Sequence, residues 1–171
     1  LVTLAAKAGL HPETERATWG RLDEIPFDAR HRFMATLHVD PNGTHHIFVK
    51  GAPERLLAMC RDQASGGGTS AIDHTYWREC IDAAAAEGER VLGFATSAAG
   101  PDVERLTFGV VETGLTFLGV AGFIDPPREE AVAAVAECRS AGIAVKMITG
   151  DHNGTAIAIA RKLAIADDPK A

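Results

Sequence analysis

The clearest alternation of apolar and polar positions lies between residues 32 and 50. The odd-numbered positions of this stretch are apolar at Phe33, Ala35, Leu37, Val39, Ile47 and Val49. Strict alternation is typical of a β-strand with one buried face, and the turn-rich segment Asp-Pro-Asn-Gly-Thr at 40–44 interrupts it once. The pattern therefore predicts a hairpin of two strands whose odd-numbered side chains face the core.

The register of this hairpin is also predictable, because a slip of one residue would turn one strand's core face to solvent. A loop of five residues keeps the parity and pairs Leu37 with Ile47 and Met34 with Lys50. Arg32 and Lys50 would then share the opposite face without an obvious acidic partner. Two cations side by side repel each other, so we expect an anionic ligand between them.

Residues 48–54, Phe-Val-Lys-Gly-Ala-Pro-Glu, form the candidate binding corner. The strand ends at Lys50, and Pro53 is suited to open a helix that runs to about Cys60. Gly51 has no Cβ, so we expect a ligand to approach the backbone there. An ammonium group beside the backbone N–H groups of a helix start favours phosphate. The alternative interpretation is a charged strand end at the surface.

The rest of the chain up to residue 124 predicts further short elements. They are a helix over 1–9, a polar connection from His11 to about Glu24, a flexible loop over 61–72, a helix from Asp73 to near Gly88, a strand over 90–95, a polar loop over 99–105, and strands over 106–111 and 115–124.

The pattern changes at residues 125–128, Asp-Pro-Pro-Arg. The following order is a helix over 127–141, a buried strand over 143–149, and a helix to about Leu163. Alternation of strands and helices is typical of an α/β fold, so we place a domain boundary near residue 123. Ligands of such folds bind at the carboxyl ends of the strands, which would place Asp125, Thr149 and Asp151 at one edge. Taken alone, Asp151 is better explained as a helix cap.

Composition narrows the classes of partner. A net charge of −6 argues against a nucleic-acid partner, which requires a basic face. The hydrophobic fraction of 46% with 23% charged residues is typical of a soluble globular protein. The longest apolar stretch without a charge, at 113–124, has twelve residues and is too short to span a bilayer. We therefore expect no nucleic-acid partner and no membrane segment in this chain.

The first ten residues resemble a helix cut at its start, without the basic region of a signal peptide. We therefore expect the chain to be a piece of a longer protein. Its three cysteines are widely spaced and predict reduced thiols. The neighbouring His38, His45 and His46 lack cysteine partners and the i,i+4 helical spacing of a ligand pair. They are better explained as exposed hairpin histidines than as a metal site.

Five segments, taken in order, carry a family resemblance. They are Glu-Ile-Pro-Phe-Asp (24–28) with Arg32-Phe33-Met34, Lys-Gly-Ala-Pro-Glu (50–54), Arg-Val-Leu (90–92), Asp-Pro-Pro-Arg (125–128) and Met-Ile-Thr-Gly-Asp-His (147–152). With these segments the chain resembles, over nearly its whole length, the cytoplasmic part of the P-type ATPases, cation pumps that are phosphorylated on an aspartate. The amino-acid sequences of these segments are most similar to those of the calcium-pump branch.

The resemblance implies a nucleotide site. It implies that Phe27 stacks on adenine, that Met34 lines the pocket, and that Arg90 reaches the phosphates. Arg32 takes the place of a lysine that is usual in the family. The implied nucleotide-binding set is Glu24, Phe27, Arg32, Met34, Lys50, Gly51, Ala52, Arg90 and Leu92, with Asp125, Thr149, Gly150 and Asp151 near the γ-phosphate.

The resemblance also implies an architecture and a place in the cell. Residues 1–122 would be an α+β nucleotide-binding domain with an antiparallel sheet flanked by helices. Residues 123–171 would be a partial phosphorylation domain of α/β, haloacid-dehalogenase-like type. The whole protein would use ATP and Mg²⁺ to move a cation across the cell membrane, with this chain on the cytoplasmic side. Its partners would be ATP or ADP and the actuator, phosphorylation and membrane domains of the same pump.

The sequence departs from the family's pattern in ways that affect these expectations. Phe33 stands where the family often has a polar or basic residue. The family's Asp-Lys-Thr-Gly-Thr segment, which bears the phosphorylated aspartate, and its Gly-Asp-Gly-x-Asn-Asp magnesium segment do not occur in these 171 residues. The isolated chain is therefore expected to bind nucleotide without catalysis. A stand-alone nucleotide-binding regulatory module and a fragment of a haloacid-dehalogenase-like phosphohydrolase are the alternatives.

Overall fold

The computed structural model describes residues 1–124, 127–149 and 153–165. These fall into two compact units, one of Leu1–Asp73 with Gly93–Gly119 and one of His74–Leu92 with Val120–Ala171. The units are local groupings of the chain. They are not the two predicted domains, whose boundary between residues 122 and 123 stays a prediction.

Seven strands form one mixed sheet in the order β1-β2-β3-β6-β7-β4-β5. They are β1 Gly20–Asp28, β2 Phe33–Val39, β3 His45–Gly51, β4 Cys60–Ser65, β5 Gly68–Ser70, β6 Arg90–Ala99 and β7 Leu115–Phe123. Neighbours β1 to β2, β2 to β3, β3 to β6 and β4 to β5 are antiparallel, whereas β4 and β7 run parallel. The expected α+β class is confirmed, but the sheet is mixed rather than antiparallel.

Helices occupy the remaining regular segments of the described residues. They are α1 Val2–Lys7, α2 Pro12–Thr18, α3 Pro53–Met59, α4 His74–Ala86, α5 Phe108–Val111, α6 Glu129–Ser140 and α7 Asn153–Lys162. The predicted helices after Pro53, Asp73 and Pro127 are confirmed within two residues. None of the helices in the described part of the chain is long and apolar enough to cross a bilayer.

The hairpin of β2 and β3 has the predicted register. Leu37 pairs with Ile47, and Met34 pairs with Lys50. Phe33, Ala35, Leu37, Ile47 and Val49 are almost completely buried, as expected for the core face, whereas Val39 at the end of β2 is half-buried. Parity therefore predicted this part of the fold correctly, because only one register buries the apolar residues of both strands.

The glycine-rich stretch after α3 was wrongly predicted to be a flexible loop. Residues 60–65 and 68–70 form the antiparallel pair β4 and β5, with Ser65 opposite Gly68. Gly66 and Gly67 have φ values of +50° and +93°, so both central residues of the two-residue turn are left-handed. Such a turn matches the twist of two antiparallel strands and requires residues that tolerate positive φ.

Two other predictions in the first unit were wrong. Residues 11–24 are not a polar connection, since they contain α2 and the first half of β1. Residues 106–111 do not form a strand, because Phe108–Val111 is a short helix. Leu106 and Val111 are buried there. The apolar residues that suggested a strand are therefore buried in a segment that contains a short helix.

The second unit is built on the packing of α4 against α7. Gly154 of α7 lies against Ala85, where an added Cβ would be 3.3 Å from the alanine Cβ. The Thr155 hydroxyl donates a hydrogen bond of 2.8 Å to the Glu89 carbonyl. These contacts join α7 to the end of α4 and the residues that follow it.

The predicted buried strand over 143–149 is absent from the structure. These residues have no strand assignment, and Ile143 and Ile148 are 56% and 98% exposed. A parallel strand of this apolar character requires neighbouring strands on both edges, and no described residue of 143–149 belongs to a strand. The haloacid-dehalogenase-like architecture of the segment is therefore not established by the structure.

Candidate functional site on the open face of the sheet

The two faces of the β2–β3 hairpin differ sharply in burial. Phe33, Ala35 and Leu37 on the odd-numbered face have no exposed surface. On the even-numbered face Thr36 is buried, but Met34 and Lys50 are half-buried and Phe48 is exposed. We call this second face the open face; it is the one that the sequence predicted to carry the ligand.

Strand pairing brings several of the predicted site residues together on the open face. Lys50 lies opposite Met34 on β2 and opposite Phe94 on β6. Directly opposed residues of antiparallel strands have their Cβ atoms about 4.5–5.5 Å apart. A thioether, an ammonium group and an aromatic ring are therefore immediate neighbours across three strands. Glu24 pairs with Thr36 in the next row of this face.

Lys50 is a half-buried cation without a protein counter-ion in the described part of the chain. Its ammonium group makes no ion pair or side-chain hydrogen bond with any described residue. Glu24, the acidic member of the predicted set, is instead paired with Arg21 at 2.7 Å. A partly desolvated ammonium without an acidic partner favours an external anion.

Arg32 lies outside β2, whereas the alternation predicted that it would continue the even-numbered face of that strand. It precedes β2, and its φ of +60° is a left-handed conformation that is uncommon outside glycine. Its Nη1 atom is 2.8 Å from the Glu54 Oε1 atom. The expectation of two adjacent cations without an acidic partner was therefore wrong, because Arg32 is already paired and only Lys50 is not.

Gly51 has a different role from the predicted one. A Cβ at this position would lie 2.4 Å from the Arg32 carbonyl oxygen and 2.7 Å from the Phe33 Cα atom. The protein's own backbone thus occupies the space where a ligand was expected to approach. Gly51 is buried, and the absence of its side chain lets the residues before β2 pack against the end of β3.

Ala52 also contacts the chain rather than a free ligand space. Its N–H group donates a hydrogen bond of 2.9 Å to the Arg32 carbonyl. The next residue, Pro53, has no N–H group, and α3 is only seven residues long. The predicted cluster of free N–H groups at the helix start is therefore smaller than expected, and the anion-binding character of the corner rests on Lys50.

Phe27 projects from a break in the pairing of β1 and is 65% exposed. The regular register ends at Ile25 and resumes at Asp28, so Pro26 and Phe27 form an irregularity of the strand. Within the described residues the Phe27 ring stacks on no other aromatic ring. A large apolar ring held in this way is available for stacking on a flat ligand.

The turn that follows Phe27 is held by charged groups. Arg30 donates hydrogen bonds to Asp28 from both its backbone and its guanidinium, and these hold the pKa of the Asp28 carboxyl far below its usual value. The next residue, His31, is stacked on Phe108 with ring centroids 4.0 Å apart. Its Nδ1 atom lies 3.4 Å from a Glu112 oxygen that Arg55 also contacts.

An aromatic cluster on the open face was not predicted. It consists of Trp19, His38, His46 and Phe48, whose rings contact one another edge-on or stacked at centroid distances between 5.2 and 6.2 Å. The shared even parity of His38, His46 and Phe48 was visible in the sequence. Trp19 was not identifiable, because it lies within residues 11–24, whose pattern predicts a polar connection.

The remaining predicted site residues lie in or beyond the second unit. Arg90 is exposed at the first position of β6, and Leu92 is half-buried two residues later. Thr149 is exposed and outside any strand. Asp125, Gly150 and Asp151 lie outside the described residues. The roles of these positions in a nucleotide site stay predictions.

Comparisons with known proteins give the family. The family profile described as "P-type ATPase, cytoplasmic domain N" matches residues 1–130. A cation-transporting ATPase of Synechocystis is 46% identical over 167 residues, which are 97% of this chain and 18% of that protein. Calcium-transporting ATPase 1 of Bacillus cereus is 37% identical over 154 residues, 86% of this chain and 17% of that protein.

A third relative is named for other cations. The sodium/potassium exporting P-type ATPase of Schizosaccharomyces pombe is 37% identical over 167 residues, which are 91% of this chain and 16% of that protein. The chain thus spans less than a fifth of the length of each of these relatives.

Proposed function

The chain belongs to the P-type ATPases, and from this premise we propose that it binds ATP or ADP on the open face of its sheet. The observation that carries the proposal is Lys50, a half-buried cation without a protein counter-ion in the described chain. A nucleotide would supply the missing negative charge through its phosphates.

Adenine is proposed to stack on Phe27, with Met34 lining the site between the base and the phosphates. Stacking on an aromatic side chain contributes about 1–3 kcal/mol per base, and a hydrogen bond to a charged group about 1.5–3 kcal/mol. Phe27 and Lys50 would therefore dominate the affinity. Glu24, Arg90 and Leu92 are proposed as further contacts on the grounds of family resemblance.

In the whole protein, this nucleotide site is proposed to serve a membrane pump that couples ATP hydrolysis to cation transport. Support comes from the relatives, which are named for cation, calcium, or sodium and potassium transport. The chain would then lie on the cytoplasmic side of the membrane and contact the other domains of the pump. Mg²⁺ would accompany ATP at the phosphorylation site of the full-length protein.

Residues 123–171 are proposed to belong to the phosphorylation domain, with the segment 143–149 as one strand of its sheet. The observed α6 and α7 flank this segment as the α/β order requires. Its exposed Ile143 and Ile148 would be covered when neighbouring strands of the longer protein pair with it. Asp125, Thr149, Gly150 and Asp151 would then stand near the γ-phosphate.

The isolated chain is proposed to bind nucleotide without turning it over. Phosphoryl transfer needs a nucleophile in line with the phosphate and a bound metal ion. The segment that carries the family's aspartate nucleophile does not occur in these 171 residues. Incubation with radiolabelled ATP should leave no acid-stable, hydroxylamine-labile phosphate on the chain, and such a product would contradict the proposal.

Calorimetric titration of ADP into a set of lysine variants tests the site. Lys50→Gln should weaken binding about tenfold and Lys50→Glu more strongly, because the acid also repels phosphate. The control is Lys7→Gln, which removes an exposed lysine from α1 and should leave affinity unchanged. Thermal stability should be retained in both Lys50 variants, and its collapse would mean that Lys50 is a structural residue.

A further inference from the structure

We propose that Glu54 is a built-in competitor of the nucleotide's phosphates for Arg32. In the free protein the Glu54 carboxylate holds the Arg32 guanidinium at 2.8 Å. A bound phosphate chain would draw the guanidinium away from Glu54. The affinity of the site is then set partly by the cost of breaking this pair. The inference rests on the proposed nucleotide function and deepens it.

The backbone of Arg32 is fixed, so only its side chain is free to change partner. Its N–H group donates to the Asp28 carbonyl at 2.7 Å, and its carbonyl accepts from the Ala52 N–H group at 2.9 Å. These two bonds hold the residue in its left-handed conformation. A charged side chain on an anchored backbone can exchange ligands without moving the loop.

The anchored backbone stands next to the proposed phosphate position. The Arg32 carbonyl lies against Gly51, the residue that directly follows Lys50. Glu54 lies in the first turn of α3, whose preceding residue Ala52 donates the hydrogen bond to the Arg32 carbonyl. The proposed exchange moves the guanidinium from Glu54 to an anion that Lys50 binds, so that pairing with one of them takes it from the other.

The pair is weak enough to be broken by a ligand. The Arg32 and Glu54 side chains are 52% and 55% exposed, and exposed ion pairs contribute little to stability. By contrast, the Arg55–Glu112 pair is 2.6 Å long and its side chains are only 30% and 34% exposed. Because Arg55 is paired with Glu112, it does not compete with Arg32 for Glu54.

Competition predicts selectivity for phosphate charge. Adenosine has no negative charge to attract Arg32. ADP and ATP carry several negative charges, which attract the guanidinium more strongly than a single carboxylate does. Removing the Glu54 charge should therefore tighten binding of ATP and ADP but not of adenosine. The same carboxylate could act by simple repulsion of phosphate, and the two effects differ in one respect. Only competition requires Arg32 to be present.

A double-mutant cycle separates these effects. The wild-type chain, Glu54→Gln, Arg32→Gln and the double variant are titrated with ATP, ADP and adenosine by NMR or calorimetry. Glu54→Gln should tighten ATP binding about twofold to fivefold, the range set by exposed ion pairs. The gain should vanish in the Arg32→Gln background and for adenosine. Glu13→Gln, which removes an exposed carboxylate from α2, is the charge-matched control and should change nothing.

Two results would overturn the inference while leaving the nucleotide site intact. One is unchanged or weaker ATP binding by Glu54→Gln, which would mean that Glu54 is irrelevant or holds Arg32 in its binding position. The other is a gain that persists without Arg32, which would mean simple repulsion. Failure of the wild-type chain to bind ATP or ADP at all would instead refute the proposed function. If Glu54→Gln lowers thermal stability, Glu54→Asp serves as the second variant, and its shorter side chain should give a smaller gain.

Discussion

Gly51 on β3 lies directly opposite Gly93 on β6, and neither position has room for a side chain. A Cβ on Gly51 would lie 2.4 Å from the Arg32 carbonyl oxygen, and a Cβ on Gly93 would lie 2.9 Å from the Pro53 Cα atom. Both obstacles are backbone atoms, which cannot turn aside as a flexible side chain would. The paired glycines thus allow the loop before β2 and the start of α3 to pack on the sheet.

The first prediction is that Gly51→Ala destabilises the protein. Relieving a contact of 2.4 Å requires the backbone near Arg32 to move, and overpacking of this kind typically costs about 1–3 kcal/mol. Urea denaturation should report the loss. The control is Gly68→Ala on β5, where the added Cβ would meet only the Ser65 carbonyl at 3.9 Å. Equal stability of the two variants would mean that the corner tolerates a side chain and does not depend on Gly51.

The second prediction concerns pH and the aromatic cluster. Burial lowers the pKa of His38 below its usual value of 6.5, and the Arg21 charge lowers it further, against a contact with the Trp19 carbonyl. The unfolded chain therefore binds a proton at His38 at a higher pH than the folded chain does. The free energy of unfolding should accordingly fall as the pH drops through about 6.5.

Urea denaturation of the wild-type chain and of His38→Gln between pH 7.5 and about 5.5 tests this sign. His38→Gln should remove part of the slope, because glutamine does not titrate. The exposed His11 at the start of α2 provides the matched control, since His11→Gln should leave the His38 contribution in place. Identical pH profiles of the wild-type chain and His38→Gln would contradict the prediction.

The third prediction concerns residues 143–149, to which the structure assigns no strand. Their backbone amides should exchange with deuterium much faster than those of β2 and β3, which are paired on both sides. In a longer chain that includes the rest of the proposed phosphorylation domain, the same amides should become protected. Strong protection in the 171-residue chain as a monomer would mean that the segment completes a sheet by itself.

Concentration dependence distinguishes folding from association in that experiment. An apolar segment with unpaired edges can be protected by a second copy of the chain. Such protection must decrease on dilution, whereas protection within one chain does not.

Much of the hairpin was predictable from sequence, whereas the surroundings of its arginine were not. Parity alone predicted the pairing of Met34 with Lys50, because only an even shift keeps the apolar side chains of both strands on one face. Arg32 continues the alternation in the sequence but leaves the strand in the structure through a left-handed turn. Its ion pair with Glu54 joins residues 22 positions apart, and no local pattern predicts it.

The other errors share a physical cause. The Gly66-Gly67 sequence predicts a flexible loop as readily as a hairpin, because glycine permits both disorder and a tight left-handed turn. The apolar composition of residues 143–149 predicts a buried strand, but composition does not reveal whether neighbouring strands are present to bury it. In both cases the deciding contacts are supplied by other parts of the chain.

Nucleotide titration of Phe27→Ala tests the central claim most directly. Phe27 is exposed on β1, so its truncation should leave the fold unchanged while removing the surface on which adenine is proposed to stack. Leu22→Ala removes another exposed apolar side chain from the same strand and is the matched control. The account predicts that Phe27→Ala weakens ATP and ADP binding roughly tenfold or more, as loss of a stacking contact implies, while Leu22→Ala binds as the wild type does. Unchanged affinity in Phe27→Ala would contradict the assignment of the nucleotide site to this face.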